Sequence, residues 1–353
     1  MRKKPTGEDL VQLIGWYHKS SHQEKLEYCR QKGIHPNTLA HWISYDETGV
    51  TPHTAPEQVI IEKIVEVPKP IDIEIKPPPV QEVGEREEEQ IIQIGDLHAG
   101  LKTATFNSKV FDTRMNRLYD RVSIFADLHR RIAPVRKLNV HLLGDIVHGE
   151  MVGRQVSLDE LELELHDQKW LAVRKLSELL TNWLQCFEEI EIVAVLGNHG
   201  ITGRYNSFAT NWNIEVYDLV KAYLLNYPQV KFTIVTDTFY AVTKIMGHTF
   251  LLVHGDKIPS SLGVPYYGID RRALRWHQSL APFDVLELGH FHSRNFLQPS
   301  GLEIYMNGTL STDSRFALQV LGLQEICEFW TLFISKKYCV TAAHSIDLTQ
   351  KGE

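Results

Sequence analysis

The sequence lacks several features that would place it in a specialised class of protein. No C-x-x-C pair occurs among its four cysteines, Cys29, Cys186, Cys327 and Cys339, so neither a zinc knuckle nor a dithiol redox motif is encoded locally. No uncharged apolar run is long enough to cross a bilayer, and no apolar stretch follows the basic start MRKKPTGEDL as a secretory signal requires. We therefore expect a cytoplasmic protein with reduced cysteines and no membrane association.

The chain also lacks an excess of positive charge. Its 353 residues have a formal net charge of -7 at pH 7, but the acidity is confined to one segment. Residues 47–90 contain 11 acidic and 4 basic residues. Residues 1–46 contain 5 acidic and 7 basic residues, and residues 91–353 contain 28 acidic and 26 basic residues. The global charge is therefore no argument against a nucleic-acid partner.

Residues 47–90 separate two regions of different character. This segment includes PKPIDIEIKPPPV followed by GEREEEQ, a mixture of proline and like charge that cannot bury a core. We expect an extended linker between a small module at 1–46 and a larger domain at 91–353.

The module at 1–46 has helical signals. Ser21 and Glu24 have the spacing of a capping box, and Gly33 is placed to end that helix. The run EYCRQKGIHPNTLAHWI resembles the helix-turn-helix of small DNA-binding modules. Under that hypothesis the residues that face a DNA groove are His35, Asn37, Thr38 and His41. The alternative is an oligomerisation or docking module made of three short helices.

After the linker, short apolar strands alternate with long helical stretches. The strand candidates are 91–94, 140–143, 190–196, 249–253 and 284–288, and the helix candidates are 110–132, 159–187 and 213–226. The C-terminal third adds the strand candidates QVLGLQ, EFWTLFIS and YCVTAAHSI. This order predicts an α/β domain with layered sheets and helices.

Potential metal ligands stand at the C-terminal end of each major apolar strand. They occur in five motifs, GDLHAG, GDIVHGE, GNHG, VHGD and GHFH, which contain Asp96, His98, Asp145, Asn198, His199, His254, His290 and His292. Because strand ends in layered α/β folds converge on one crevice, these residues can meet around a cofactor. Carboxylate, imidazole and amide oxygen together suit Mn²⁺, Fe or Zn²⁺.

Each motif alone is weak evidence for a metal site, since a polar residue at a strand end is usually a cap. The ordered set D-x-H, GD, GNH, H and GHxH, however, resembles the signature of the calcineurin-like metallophosphoesterases. The resemblance covers residues 91 to about 310 and implies a layered αββα fold, with two packed mixed sheets flanked by helices. It also implies two divalent ions, Mn²⁺ first, with Fe, Zn²⁺ or Mg²⁺ as alternatives. By resemblance the first ion is held by Asp96, His98 and His292, the second by Asn198, His254 and His290, and Asp145 bridges them. His199 stands beside them as an acid or transition-state donor.

The second motif favours one branch of that superfamily. Its His148 matches the GDxxH pattern of the double-strand-break-repair exonucleases, as do D-x-H-x-G at 96–100 and the stretch MNGTLSTDSRF, and by this resemblance His148 joins His199 as a catalytic residue. The protein phosphatases of the superfamily carry GDxVDRG and GNHE instead. One departure concerns Gly200, which stands where both groups usually have an acidic residue.

Basic residues near the motifs favour a nucleic-acid substrate. Arg154 and Arg204 follow motif loops, and Arg271 and Arg272 lie in GVPYYGIDRRALRWHQ beside tyrosine and tryptophan residues. These side chains could bind a phosphate backbone while the aromatic rings stack on bases. The alternative is that Arg272 and Trp276, four residues apart, line a helix face.

The pattern therefore predicts a metal-dependent phosphodiesterase that hydrolyses DNA, as an exonuclease or endonuclease, with the N-terminal module as a tether. Two alternatives stay open: a nucleotide or phosphoprotein phosphatase that uses the same dinuclear site, and a non-enzymatic DNA-binding regulator. Resemblance alone suggests a homodimer and an ATPase partner.

Overall fold

The computed structural model describes Leu13, Trp16, Lys19, Ala317 and residues 22–32, 86–150, 160–203, 208–260, 265–314 and 324–349. The chain divides into two compact units, Met1–Val67 and Pro68–Glu353. The boundary falls inside the segment 47–90, and the predicted limits of module, linker and domain remain predictions.

The first unit contains one helix whose bounds are described. Helix α1 spans His22–Lys32, which confirms the helix predicted between Ser21 and Gly33. The ring of Trp16 lies 4.7 Å from that of Tyr28 on α1, and Cys29 is buried. The residues predicted to face a DNA groove, His35, Asn37, Thr38 and His41, lie outside the described residues.

The second unit is built on a six-stranded mixed sheet. Its strands are β1 (Glu88–Ile94), β2 (Val135–Leu142), β3 (Glu189–Ala194), β4 (Val230–Ile234), β10 (Glu328–Ser335) and β11 (Val340–Asp347). Their order is β11-β10-β1-β2-β3-β4. Strands β1 to β4 run parallel, and β10 and β11 pair antiparallel. The parallel strands therefore end at one edge, where their following loops meet.

A five-stranded mixed sheet packs on the first. It contains β5 (Tyr240–Ile245), β6 (His248–Val253), β7 (Val285–Leu288), β8 (Asn295–Leu297) and β9 (Glu303–Met306), in the order β5-β6-β7-β9-β8. Ile91 of β1, Val193 of β3 and Phe250 of β6 belong to the apolar cluster between the sheets. Burial of both sheet faces explains the continuous apolar runs of the central strands.

Helices cover the outer faces of the two sheets. Helices α2 (Ser108–His129), α3 (Leu165–Trp183) and α4 (Trp212–Tyr223) share a core with the six-stranded sheet, and α5 (Tyr266–Ser279) packs on the five-stranded sheet. This is the predicted layered αββα architecture of two mixed sheets flanked by helices. No helix in the described parts of the chain combines the length and the apolar character that a membrane crossing needs.

The predicted elements agree with the structure in kind and differ at their ends. Helix α2 begins at Ser108 because Asn107 caps it, accepting hydrogen bonds from the backbone of Lys109 and Val110. Strands β4, β5, β8 and β9 were missed because each is only three to six residues long. Of the C-terminal candidates, EFWTLFIS is β10 and YCVTAAHSI overlaps β11, whereas residues 319–323 of QVLGLQ lie outside the described residues.

Candidate metal centre

The residues predicted as ligands occupy tight turns directly after the strands. Eight non-glycine residues of the described chain have positive φ, and five of them belong to the predicted ligand set: Asp96, His98, Asp145, His290 and His292, with φ between 48° and 70°. Such a backbone costs about 1 kcal/mol or more per residue and persists only where the surroundings enforce it. The loops are thus built to hold these side chains rather than for local stability.

Two glycines allow these loops to approach one another. A Cβ at Gly197 would lie 2.1 Å from the carboxylate of Asp145, and one at Gly289 would lie 2.4 Å from that of Asp96. Without these side chains, Asp145 accepts a hydrogen bond from the backbone of His199 (2.7 Å) and Asp96 accepts one from His290 (2.9 Å). Each carboxylate is therefore held by the backbone of a neighbouring motif.

The first group of side chains consists of Asp96, His98 and His292. Their ligand atoms lie within 4.8 Å of one another, with the two Nε2 atoms 3.0 Å apart and Asp96 Oδ1 3.4 Å from His292 Nε2. Asp96 is fully buried, and its Oδ1 accepts no hydrogen bond. A buried carboxylate oxygen without a partner is costly, and a cation at this point would satisfy it. The donor set therefore fits a divalent metal ion.

The second group consists of Asp145, His254 and His290, whose ligand atoms also lie within 4.8 Å of one another. His254 Nδ1 lies 2.7 Å from the carbonyl oxygen of Leu143, so this nitrogen donates to that carbonyl. Its Nε2 then faces Asp145 Oδ2 at 3.0 Å and Asn198 Oδ1 at 2.9 Å. The structure thus brings Asn198 to this group, and the bridging role of Asp145 remains a prediction.

His148 and His199 join the first group through His98. Ligand atoms of these three histidines lie within 4.8 Å of one another, and the His98 and His199 rings are 4.5 Å apart. The Nδ1 of His199 donates to the carbonyl oxygen of His148 at 2.7 Å. His199 is partly exposed whereas His148 is buried, so the geometry gives His199 the more accessible position.

Two imidazoles carry a proton beside buried carboxylates. Burial alone lowers the pKa of His254, but the charge and hydrogen bond of Asp145 outweigh it and raise this pKa to about 10. Burial likewise lowers the pKa of His292, and the neighbouring carboxylates of Asp96 and Glu325 outweigh it and raise this pKa to about 10. Each group therefore holds a positive charge where a cation would displace a proton.

Three other histidines of the site, His98, His148 and His290, have a pKa below the usual value. Burial, followed by the charge of His199, lowers the pKa of His148 to about 3, and burial with the charge of His254 does the same to His290. The pKa of His98 is also well below its usual value, first through burial and then through the charge of His199. Neutral imidazole is the form that binds a metal ion.

The structure explains the glycine at position 200. A Cβ there would lie 1.9 Å from Asn211 Oδ1. Asn211 caps helix α4 by accepting from the backbone of Asn213 at 2.9 Å, and its Nδ2 donates to the carbonyl oxygen of Gly197 at 2.7 Å. The Asn211 side chain thus occupies the space that an acidic residue would need and braces the GNHG loop. His199 is oriented by the carbonyl of His148 instead.

Sequence reasoning missed Glu325. This residue lies beyond the ligand motifs, yet its Oε1 is 2.6 Å from Nδ1 of His292. The signal in the sequence was weak, because Glu325 is one of two acidic residues in the otherwise apolar run LGLQEICEFW. A carboxylate that is buried there needs a specific partner.

Of the basic residues predicted to bind substrate, the structure describes Arg271 and Arg272. Arg271 is exposed on α5, Arg272 is half-buried, and neither has a hydrogen bond or ion pair among the described residues. Trp276 is buried and packs 5.6 Å from the ring of Phe239, as the helix-face alternative expected. Arg154 and Arg204 lie outside the described residues.

The chain is similar to several solved structures. A conserved uncharacterised protein from Streptococcus pneumoniae, described as a predicted phosphoesterase, is 13% identical, with 73% of this chain and 97% of that chain covered and a TM-score of 0.31. A novel archaeal phosphodiesterase is 14% identical, with 73% and 98% covered and a TM-score of 0.35. Vps29 complexed with zinc, from Entamoeba histolytica, is 15% identical, with 74% and 99% covered and a TM-score of 0.34.

A comparison with curated proteins finds no match. The family model of the calcineurin-like phosphoesterases matches residues 90–309. That range is more than half of the chain and contains every predicted ligand and both groups of converging side chains. The chain therefore belongs to the calcineurin-like phosphoesterase family.

Proposed function

We propose that this protein is a metal-dependent phosphodiesterase that hydrolyses DNA. The observation that carries the proposal is the convergence of two acid and imidazole groups, with His148 of the GDxxH motif beside His98 of the first group. His148 distinguishes this motif from the GDxVDRG of the superfamily's protein phosphatases. The nuclease assignment rests on this sequence resemblance, and hydrolysis of phosphate esters rests on the family.

The residues that would hold the two ions are Asp96, His98 and His292 in one group and Asp145, Asn198, His254 and His290 in the other. Divalent ions bound there would neutralise the charge of a phosphate ester and acidify a water molecule near neutral pH. The chain's own contribution is a rigid arrangement, because the backbone of His199 fixes Asp145 and that of His290 fixes Asp96.

His199 is the residue that we assign to proton donation. Its Nδ1 is engaged with the carbonyl oxygen of His148, which leaves Nε2 to face a substrate. Protonation of the leaving oxygen requires such a positioned group. His148 acts indirectly in this assignment, because its backbone carbonyl fixes the ring of His199 while its own ring is buried.

DNA as substrate is supported by the resemblance of the motifs and by the helix-turn-helix-like pattern at 1–46. A module joined through residues 47–90 would raise the local concentration of the substrate around the catalytic domain. Arg154, Arg204, Arg271 and Arg272 remain the basic residues proposed to bind its phosphates.

The test uses purified protein, Mn²⁺ and end-labelled linear DNA, single and double stranded, with an EDTA control. We expect degradation that needs metal and fails in both Asp145→Asn and His199→Ala. The pattern of end label then gives the polarity of digestion or reveals internal cleavage. Persistence of intact DNA in the presence of Mn²⁺ would contradict the nuclease proposal.

A phosphatase acting on nucleotides or phosphoproteins is the second candidate, and the charge of the domain favours it. Residues 91–353 contain two more acidic than basic residues, whereas binding of a DNA backbone relies on a basic surface. Hydrolysis of p-nitrophenyl phosphate in preference to the bis ester, together with intact DNA, would support the phosphatase.

A further inference from the structure

The side chain of Glu325 is in direct contact with a proposed metal ligand. Its Oε1 lies 2.6 Å from His292 Nδ1, and the Glu325 side chain is only 1% exposed. The other ring nitrogen of His292, Nε2, faces Asp96 Oδ1 at 3.4 Å and His98 Nε2 at 3.0 Å. One nitrogen of His292 thus faces the metal group, and the opposite one faces a buried carboxylate.

Glu325 is itself held in place. Its Oε2 accepts a hydrogen bond from the backbone of Ser314 at 2.8 Å, and its Oε1 accepts one from the Ser314 hydroxyl at 3.1 Å. The backbone of Ile326 donates to the carbonyl oxygen of His292 at 2.9 Å. Residues 325 and 326 therefore fix both the ring and the backbone of His292, whose φ is 51°.

The second group has a different support. There His254 Nδ1 donates to the carbonyl oxygen of Leu143, a neutral acceptor, whereas His292 faces an acidic side chain. A carboxylate on the outer nitrogen of a ligating histidine fixes its tautomer and makes the inner nitrogen more basic, and losing such a partner lowers metal affinity about 10- to 100-fold. The two groups thus differ in the strength of their outer support.

We propose that Glu325 is a positioning residue that directs Nε2 of His292 at the metal and makes the Asp96, His98 and His292 group the tighter of the two cation sites. The inference rests on the proposed function, because it requires His292 to be a ligand. The inference goes beyond the proposed function in two ways. It places a required residue outside residues 90–309, the range that the family model matches, and it ranks the two cation sites by affinity.

Zinc binding to the full chain tests the proposal without any assay of activity. We would titrate the metal-free protein with Zn²⁺ against a chromophoric chelator, for the wild type, Glu325→Gln and Glu328→Gln. Glu328 is the matched control, since it is a nearby acidic residue paired with Arg294 rather than with a ligand. We expect two ions of unequal affinity in the wild type, and a loss of about 10- to 100-fold at the tighter site in Glu325→Gln alone.

The zinc titration distinguishes failure of the positioning role from failure of the proposed function. If the wild type binds two zinc ions and Glu325→Gln binds them equally well, the positioning role is wrong while the proposed function stands. If the wild type binds no zinc at either group, the proposed function itself fails.

A second measurement requires no folded variant at position 325. In the zinc-loaded wild type, long-range ¹H–¹⁵N spectra of the imidazoles, assigned with His292→Asn, report which nitrogen carries hydrogen. We expect His292 to carry hydrogen on Nδ1 and to bind zinc through Nε2. Binding through Nδ1 would overturn the proposal.

Discussion

Gly200 offers the sharpest test of how the GNHG loop is built. Replacing it with alanine would put a Cβ 1.9 Å from Oδ1 and 2.7 Å from Cγ of Asn211. Asn211 is 5% exposed, so its side chain cannot simply turn into solvent. It must leave a position in which it caps α4 and binds the Gly197 carbonyl oxygen.

The cost follows from the two hydrogen bonds that Asn211 would lose. Loss of a helix N-cap costs about 0.5 to 2 kcal/mol, and a buried carbonyl left without its partner costs about 1 to 3 kcal/mol. Gly200→Ala should therefore lower the free energy of unfolding by about 1.5 to 5 kcal/mol. Because the same loop carries Asn198 and His199, zinc binding at the second group should weaken as well.

Urea denaturation followed by tryptophan fluorescence measures this cost, and a double-mutant cycle identifies its cause. In an Asn211→Gly background the nearest obstruction is absent and only Asn213 Nδ2, at 2.8 Å, remains close to the added Cβ. Gly200→Ala should therefore cost less than half of its value in the wild type. Equal costs in the two backgrounds, or a cost below about 0.5 kcal/mol in the wild type, would refute this explanation of the glycine.

Three further predictions concern catalysis, pH and the N-terminal module. His199→Ala should lower kcat on a phosphodiester about 10²- to 10⁴-fold, while elemental analysis shows an unchanged metal content. The control His277→Ala, on α5, should leave kcat and metal content unchanged. An equal loss of kcat in the two variants would contradict the role assigned to His199. Burial raises the pKa of Glu88, but hydrogen bonds with His129 and Thr341 outweigh it and leave this pKa below its usual value. The stabilisation that Glu88 contributes is present above the unfolded pKa of about 4.3 and is lost as pH falls through the lower folded pKa. Glu88→Gln should therefore flatten the fall of Tm on acidification below about pH 5. An unchanged dependence of Tm on pH in this variant would contradict the role given to Glu88. Deletion of residues 1–85, which keeps β1 complete, should weaken DNA binding in a filter assay and leave hydrolysis of bis-p-nitrophenyl phosphate unchanged; undiminished DNA binding would remove the tether from the proposal.

The ligand set could be predicted from the sequence because its signals are local. Each ligand follows an apolar strand within a few residues, and short motifs such as GDLHAG and GHFH carry their own glycine turns. The layered α/β class was equally accessible, since the alternation of apolar strands and helices is read directly from the order of residues.

Other features depend on contacts between distant parts of the chain. Strand β4, VKFTI, alternates apolar and polar residues but is only five residues long, and β5, YAVTKI, has no such alternation. Their places in the sheets are set by pairing with β3 and β6. The burial of Trp276 beside Phe239 decided between a core residue and a base-stacking residue, which the helix pattern could not do.

What the sequence determined alone was the identity of the candidate metal-binding side chains, because residue type and position after a strand are local properties. Only the tertiary structure decided how those side chains are supported. Asn211 reaches position 200 from the start of α4, and Glu325 reaches His292 across 33 residues of sequence. Such supports are set by the packing of separate segments and leave no motif, because one buried hydrogen bond needs only one suitable atom at the right place.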